Sequence, residues 1–177
     1  FIPVIAESIK FYVNNNEEKK AIRILEGSWN NLLYQGLVEQ FFSSKKEDVK
    51  LYLRRYKLLK KALLKFIRHD ETKLAIAYGA YKASLWGETK SYLERIKVED
   101  WDERIIDLWK KLEEKSNRIT IPNLPKNPIK APEWNCVCGK NYLKWQLVCD
   151  KCHEIGKISW PKSLNIDQKE IKFNEFF

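Results

Sequence analysis

All four cysteines of this 177-residue chain fall towards its C-terminal end, at Cys136, Cys138, Cys149 and Cys152, with the spacing C-x-C-x10-C-x2-C. Two close pairs separated by about ten residues can bring four thiolates to one tetrahedral point, because each pair sits on a tight turn and the segment between folds back as a hairpin. Gly139, directly after the second cysteine, suits such a turn, which needs a residue that tolerates positive φ. Disulfides fit less well, since no cysteine precedes Cys136 and disulfide density belongs to small secreted domains. The expected cofactor is zinc, with iron the alternative for the same ligands. The single residue Val137 between the first two cysteines is shorter than the usual two and strains the first turn. His153, beside Cys152, is a substitute ligand ranked behind the four thiols. A module of about 30 residues buries too little apolar surface to fold alone, so the metal supplies much of its folding free energy. Four thiolates leave no open position to activate water, which makes the site structural; a redox role would need iron and an electron-transfer partner. Trp134, Trp145 and Trp160 flank the cluster and are expected to pack around it.

The elements upstream read as helices throughout, with no alternating run long enough for a strand. Helices are expected over 4–13, from Glu17 onwards, over 32–42, 47–68, 71–85 and 88–97, and in a last segment where Trp101, Ile105, Leu108 and Leu112 repeat at 4, 3, 4. The run Asn14, Asn15, Asn16 stops the first, and Glu17 and Glu18 put negative charge at the start of the second. Trp86-Gly87 reads as a turn. Ala21, Ile22, Leu25 and Trp29 share one face, and Val49, Tyr52, Tyr56, Leu59, Leu63 and Phe66 form a stripe at 3, 4, 3, 4, 3. Short helices joined by short turns suggest stacked antiparallel pairs. Aligning Ala21 with Ser91 gives 91 − 21 = 70, close to twice the tetratricopeptide period of about 34 residues. Between 117 and 132 the composition changes: Pro122, Pro125, Pro128 and Pro132 crowd together, an extended linker that is either a free tether or a strap held by Ile119, Ile121, Leu124 and Ile129.

The chain carries 33 Lys+Arg against 24 Asp+Glu, a formal charge of +9, and with 6 Gly and 6 Pro it is neither collagenous nor of low complexity. Its longest uncharged stretch runs only from Gly27 to Val38, too short to span a bilayer, which takes about 20 residues of helix. Nearly the whole charge excess lies between 45 and 68, where ten basic and two acidic residues give +8. Lys50, Arg54, Lys57, Lys61, Lys65 and Arg68 step along one face, opposite the apolar stripe. An anionic partner protein, anionic membrane head groups and, last, nucleic acid compete for it with an ordinary solvated face.

No catalytic constellation emerges. There is no nucleophile elbow, phosphate-binding glycine loop or paired-carboxylate motif, and no small-molecule substrate is indicated. His69, beside Asp70 and Glu71, reads as a helix-capping or surface residue. Tyr78, Tyr81 and Lys82 either line a groove that receives a peptide or pack between neighbouring helices.

The string 133–160 (EWNCVCGKNYLKWQLVCDKCHEIGKISW) resembles the C-terminal signature of HemY-type proteins: Trp134 two before the first cysteine, Cys138-Gly139, Trp145 followed by Cys149-x2-Cys152, and Trp160 closing the module. The helices EEKKAIRILEGSWN and LAIAYGAYKASLWGETKSYLERI resemble that family's last repeats. The family's first pair is C-x2-C, and here it is Cys136-Val137-Cys138. The resemblance implies a tetratricopeptide protein of the bacterial inner membrane, its anchor preceding this portion of chain and its repeats cytoplasmic. It also implies a non-enzymatic scaffold for enzymes of late haem biosynthesis. Regulators of lipopolysaccharide assembly, with repeats before a rubredoxin-like knuckle, are the second resemblance. The resulting expectation is all-α, tetratricopeptide-like helical pairs over 1–116, a linker over 117–132, a four-cysteine knuckle of short β-hairpins over 133–161 and a tail over 162–177.

Overall fold

A computed structural model describes residues 2–44 and 48–161 of the chain, and the expected tail over 162–177 lies outside them. They group into two compact units: a helical one reaching Ala131, and a small one from Pro132 onwards with which residues 31–33 group.

Among the described residues seven α-helices form the first unit: α1 (Ile2–Asn14), α2 (Glu18–Leu32), α3 (Gln35–Phe41), α4 (Val49–Leu63), α5 (Asp70–Lys82), α6 (Trp86–Leu93) and α7 (Glu103–Lys115). The odd-numbered helices begin at Ile2, Gln35, Asp70 and Glu103, so their starts recur at a nearly constant interval along the chain. They pack side by side in that order, α1 on α3, α3 on α5 and α5 on α7, while α5 also packs against α4 and α6. The core lies between the two layers, built from residues such as Ile9, Leu25, Trp29, Leu37, Phe41, Leu59, Leu63, Leu74, Ile76, Trp101 and Trp109. Inside it the Trp29 indole N–H donates to Thr72 Oγ1 at 2.8 Å, joining α2 to α5.

The even-numbered layer is fastened differently. Arg54 of α4 donates to Glu18 of α2 at 2.7 Å, and Lys65, in the 3₁₀ turn Leu64–Phe66 that follows α4, donates to Glu26 at 2.6 Å. On the other side Lys60 and the Tyr56 hydroxyl both donate to Glu88 of α6, at 2.9 and 2.6 Å. Much of α4's basic character is thus matched by carboxylates on its two neighbours.

Three local readings shift. The turn expected at Trp86-Gly87 lies at 83–85, where Ser84 takes φ 60°; Trp86 begins α6, its ring 5.5 Å from that of Tyr81. Val49 does not join the apolar stripe: as the first residue of α4, after the Asp48 cap, it is 56% exposed. That helix ends at Leu63, so Phe66 is only half-buried in the 3₁₀ turn. Trp101 precedes α7, whose cap is Asp102, a carboxylate accepting from the amides of Arg104 and Ile105.

Of the linker alternatives, part of the segment is strapped to the helical unit. The Ile129 amide donates to the Trp101 carbonyl at 3.0 Å, and the Ile121 amide donates to Glu113 at 3.1 Å. Leu124 and Ile129 keep their side chains exposed, so the hold is largely through backbone.

The second unit is a three-stranded antiparallel sheet with β1 (Trp134–Cys136) between β2 (Asn141–Tyr142) and β3 (Ile158–Ser159). Trp134 pairs with Tyr142, and Cys136 with Ile158. The Trp134 and Trp160 rings meet edge to face at 5.3 Å, and the Trp145 indole donates to the Ile158 carbonyl at 3.2 Å.

Candidate metal centre

The sheet positions two turns, each carrying a cysteine pair. In the first, the Gly139 amide donates to the Cys136 carbonyl at 2.9 Å and the Cys136 amide to the Lys140 carbonyl at 2.9 Å. In the second, the His153 amide donates to the Cys149 carbonyl at 2.9 Å and the Cys149 amide to the Glu154 carbonyl at 3.1 Å. Each closing bond of the first turn therefore spans one residue fewer than its counterpart. The shortened Cys136-Val137-Cys138 spacing is absorbed there, with Val137 turned outward at 74% exposure. In both turns the residue after the second cysteine is left-handed: Gly139 at φ 83° and His153 at φ 58°. His153 is thus the backbone counterpart of Gly139, and it does not belong to the group of converging ligand atoms.

The four sulfurs converge. Cys136 Sγ lies 3.6 Å from Cys152 Sγ, Cys138 Sγ lies 3.6 Å from Cys149 Sγ, and all four fall within 4.8 Å of one another. A tetrahedron with metal–sulfur bonds of about 2.3 Å has edges of about 3.8 Å, so the set fits a zinc ion, whereas disulfide sulfurs stand about 2.0 Å apart. All four thiols are free, Cys136 and Cys149 buried and Cys138 and Cys152 half-buried. Burial opposes ionisation of Cys149, but the Tyr142 hydroxyl and the amides of Cys152 and Lys151 draw its thiol down to about 6. The Cys136 and Cys152 thiols shift the other way: the amides of Cys138 and Glu154 draw them down, but burial and the neighbouring sulfurs outweigh that and raise both, so Cys149 is the first of the three to present a ligating thiolate.

Around Cys149 stands a polar cluster that sequence reading missed. The Tyr142 oxygen is 3.1 Å from Cys149 Sγ, its hydroxyl donates to the Asp150 carboxylate, and Asp150 in turn accepts from Lys140 at 2.9 Å. Partners of this kind orient metal ligands. The available signal was positional: Tyr142 lies on the strand that pairs with the cysteine-bearing β1.

The other candidate residues belong to the helical unit. Lys50, Arg54, Lys57, Lys61, Lys65 and Arg68 are all exposed, as an outward basic face requires. Arg54 and Lys65 are engaged by Glu18 and Glu26, while Lys45 and Lys46 lie outside the described residues. Tyr78, Tyr81 and Lys82 do come together, on the floor of a cleft of about 490 Å³ bounded by α3 and α7. Its walls include Gln35, Glu39, Arg104 and Lys111, none of them foreseen. The signal for them was the repeat period, which sets α3, α5 and α7 side by side. Crowding by the cleft raises the Glu39 carboxyl above its ordinary value, against the pull of Arg104 and Lys111, and burial pushes the Tyr78 hydroxyl up to about 12. Arg104 spans the Glu71 and Asp102 carboxylates, with Glu71 at 2.7 and 2.8 Å.

Fold and site together define a helical repeat-like domain followed by a four-cysteine cluster that can hold a metal ion such as zinc. No family model, curated protein or solved structure matches the chain, so the HemY-type resemblance rests on the residues quoted for it alone.

Proposed function

We propose that this chain is a non-enzymatic protein-interaction scaffold of the tetratricopeptide kind, closed by a structural zinc knuckle. The observation that carries the reading is the recurrence of helix starts at Ile2, Gln35, Asp70 and Glu103, which matches a helical-pair repeat of about 34 residues and turns one layer of helices toward a shared cleft. The knuckle supports it, since four converging sulfurs leave no position for a reacting water. Within this class the string 133–160 points to the HemY type, anchored in the inner membrane beside late haem-biosynthetic enzymes. The alternatives are a lipopolysaccharide-assembly adaptor and an iron redox module.

Two measurements on one preparation test this. Protein purified under reducing conditions is expected to hold one zinc per chain, lost in Cys149→Ser, Cys152→Ser; iron with thiolate charge-transfer bands promotes the redox reading instead. A photo-crosslinking residue at Tyr81, in the cleft, is expected to capture partner proteins that the same residue at Lys57, on the exposed face of α4, does not. Equal capture at both positions, or none at either, refutes the scaffold. Haem-pathway enzymes among the Tyr81 adducts would support the HemY type.

A further inference from the structure

The cleft between α3, α5 and α7 is unevenly satisfied. Its cations are engaged: Arg104 by Glu71 and Asp102, Lys111 by Asp107 at 2.6 Å, and Lys82 lies 4.7 Å from the Tyr52 ring centroid. Two of its acceptors are not. Gln35 is only 8% exposed, yet its Oε1 has no hydrogen-bond partner, although an orphaned buried amide oxygen costs about 1–3 kcal/mol. Glu39 follows one turn later on the same face of α3 and forms no hydrogen bond or ion pair among the described residues. Between them and α7 the Tyr78 ring is held edge-on against Phe42, centroids 6.1 Å apart. A carbonyl oxygen, a carboxylate and an aromatic ring, in a cleft whose own cations are committed, complement a planar cation rich in N–H donors.

We propose that this cleft binds the guanidinium of an arginine side chain on a partner protein, with Glu39 accepting its N–H groups, Gln35 turning its enclosed Oε1 into the cleft to accept another, and Tyr78 lying against its plane. This deepens the scaffold reading and rests on it. A lysine offers a point charge without the plane, and a carboxylate would meet two unsatisfied acceptors.

The test is a titration of the zinc-loaded full chain by two-dimensional NMR with the capped peptide Gly-Ala-Arg-Ala-Gly and its citrulline, lysine and glutamate counterparts. The arginine peptide is expected to shift the Gln35 side-chain amide, Glu39 and Tyr78, and to bind at least about fivefold more tightly than the other three, the ratio expected for one partly exposed charged hydrogen bond. Glu39→Gln, at an exposed position that should leave folding intact, is expected to remove that preference. Shifts in the cleft that are equal for all four peptides, or strongest for glutamate, overturn the arginine assignment and leave the scaffold reading standing. Absence of any shift in the cleft also overturns it, while crosslinking from Tyr81 judges the scaffold separately.

Discussion

Replacing Thr72 by Val exchanges one hydroxyl for a methyl at the centre of the helical unit and leaves the shape almost unchanged. Trp29 and Thr72 are both fully buried, and the indole N–H has the threonine oxygen at 2.8 Å as its acceptor. The valine methyl cannot accept, so the N–H is stranded in a dry interior at a cost of about 1–3 kcal/mol; the gain from no longer burying a hydroxyl offsets a fraction, and about 2 kcal/mol is the net expectation. For a unit of about 130 residues that lowers the melting temperature by about 7 °C. Denaturant unfolding followed by circular dichroism in the far ultraviolet reads the cost. A double-mutant cycle with Trp29→Phe isolates the pair, because the double variant leaves neither partner unmatched and the coupling should be at least about 1 kcal/mol. A Thr72→Val cost below about 0.5 kcal/mol, with strictly additive single variants, would refute the claim that this bond ties α2 to α5.

Gly139→Ala probes the first cysteine turn alone, since a Cβ at that position meets nothing within 4 Å and the only penalty is the backbone at φ 83°. At about 1–2 kcal/mol this predicts zinc binding weakened about 5- to 30-fold in competition with a chromophoric chelator, with Gly139→Asn closer to the parent; an unchanged affinity would show that the turn is not held left-handed. Burial works to raise the Glu18 carboxyl, but its own backbone amide, Arg54 and Arg55 outweigh that and hold it below its ordinary 4.5. The folded state therefore binds this proton less readily than the unfolded chain. Its stabilisation is complete above about pH 4.5 and lost as pH falls through the lower folded value, so acid unfolding should be less steep in Glu18→Gln. Parallel acid titration curves for parent and variant would count against it.

How much was legible depended on whether a residue acts through its neighbours in sequence or in space. The cysteine turns were readable because the thiols and Gly139 act within single tight turns. The α2 face of Ala21, Ile22, Leu25 and Trp29 was readable for the same reason, and all four are buried. Gly87 misled because glycine marks a turn only where the backbone needs positive φ; Ser84 supplied that conformation just upstream, and Trp86 was drawn into α6 beside Tyr81. β3 was too short to show alternation and exists because Ile158 and Ser159 find β1. Gln35, Glu39 and Arg104 carried no local signal, since they meet only when α3, α5 and α7 are brought together. The basic run on α4 was plain in sequence, but the carboxylates that answer it lie on α2 and α6.

Those carboxylates give the helical unit two unlike edges. Along one, the odd-numbered helices touch directly, and the ion pair that crosses it, Arg104 of α7 with Glu71 of α5, is partly buried and so less screened by salt. Along the other, α2, α4 and α6 are linked by Glu18–Arg54, Glu26–Lys65 and Glu88–Lys60, partly exposed ion pairs that salt screens. Added salt therefore weakens the links among α2, α4 and α6 before those of the edge that carries the cleft.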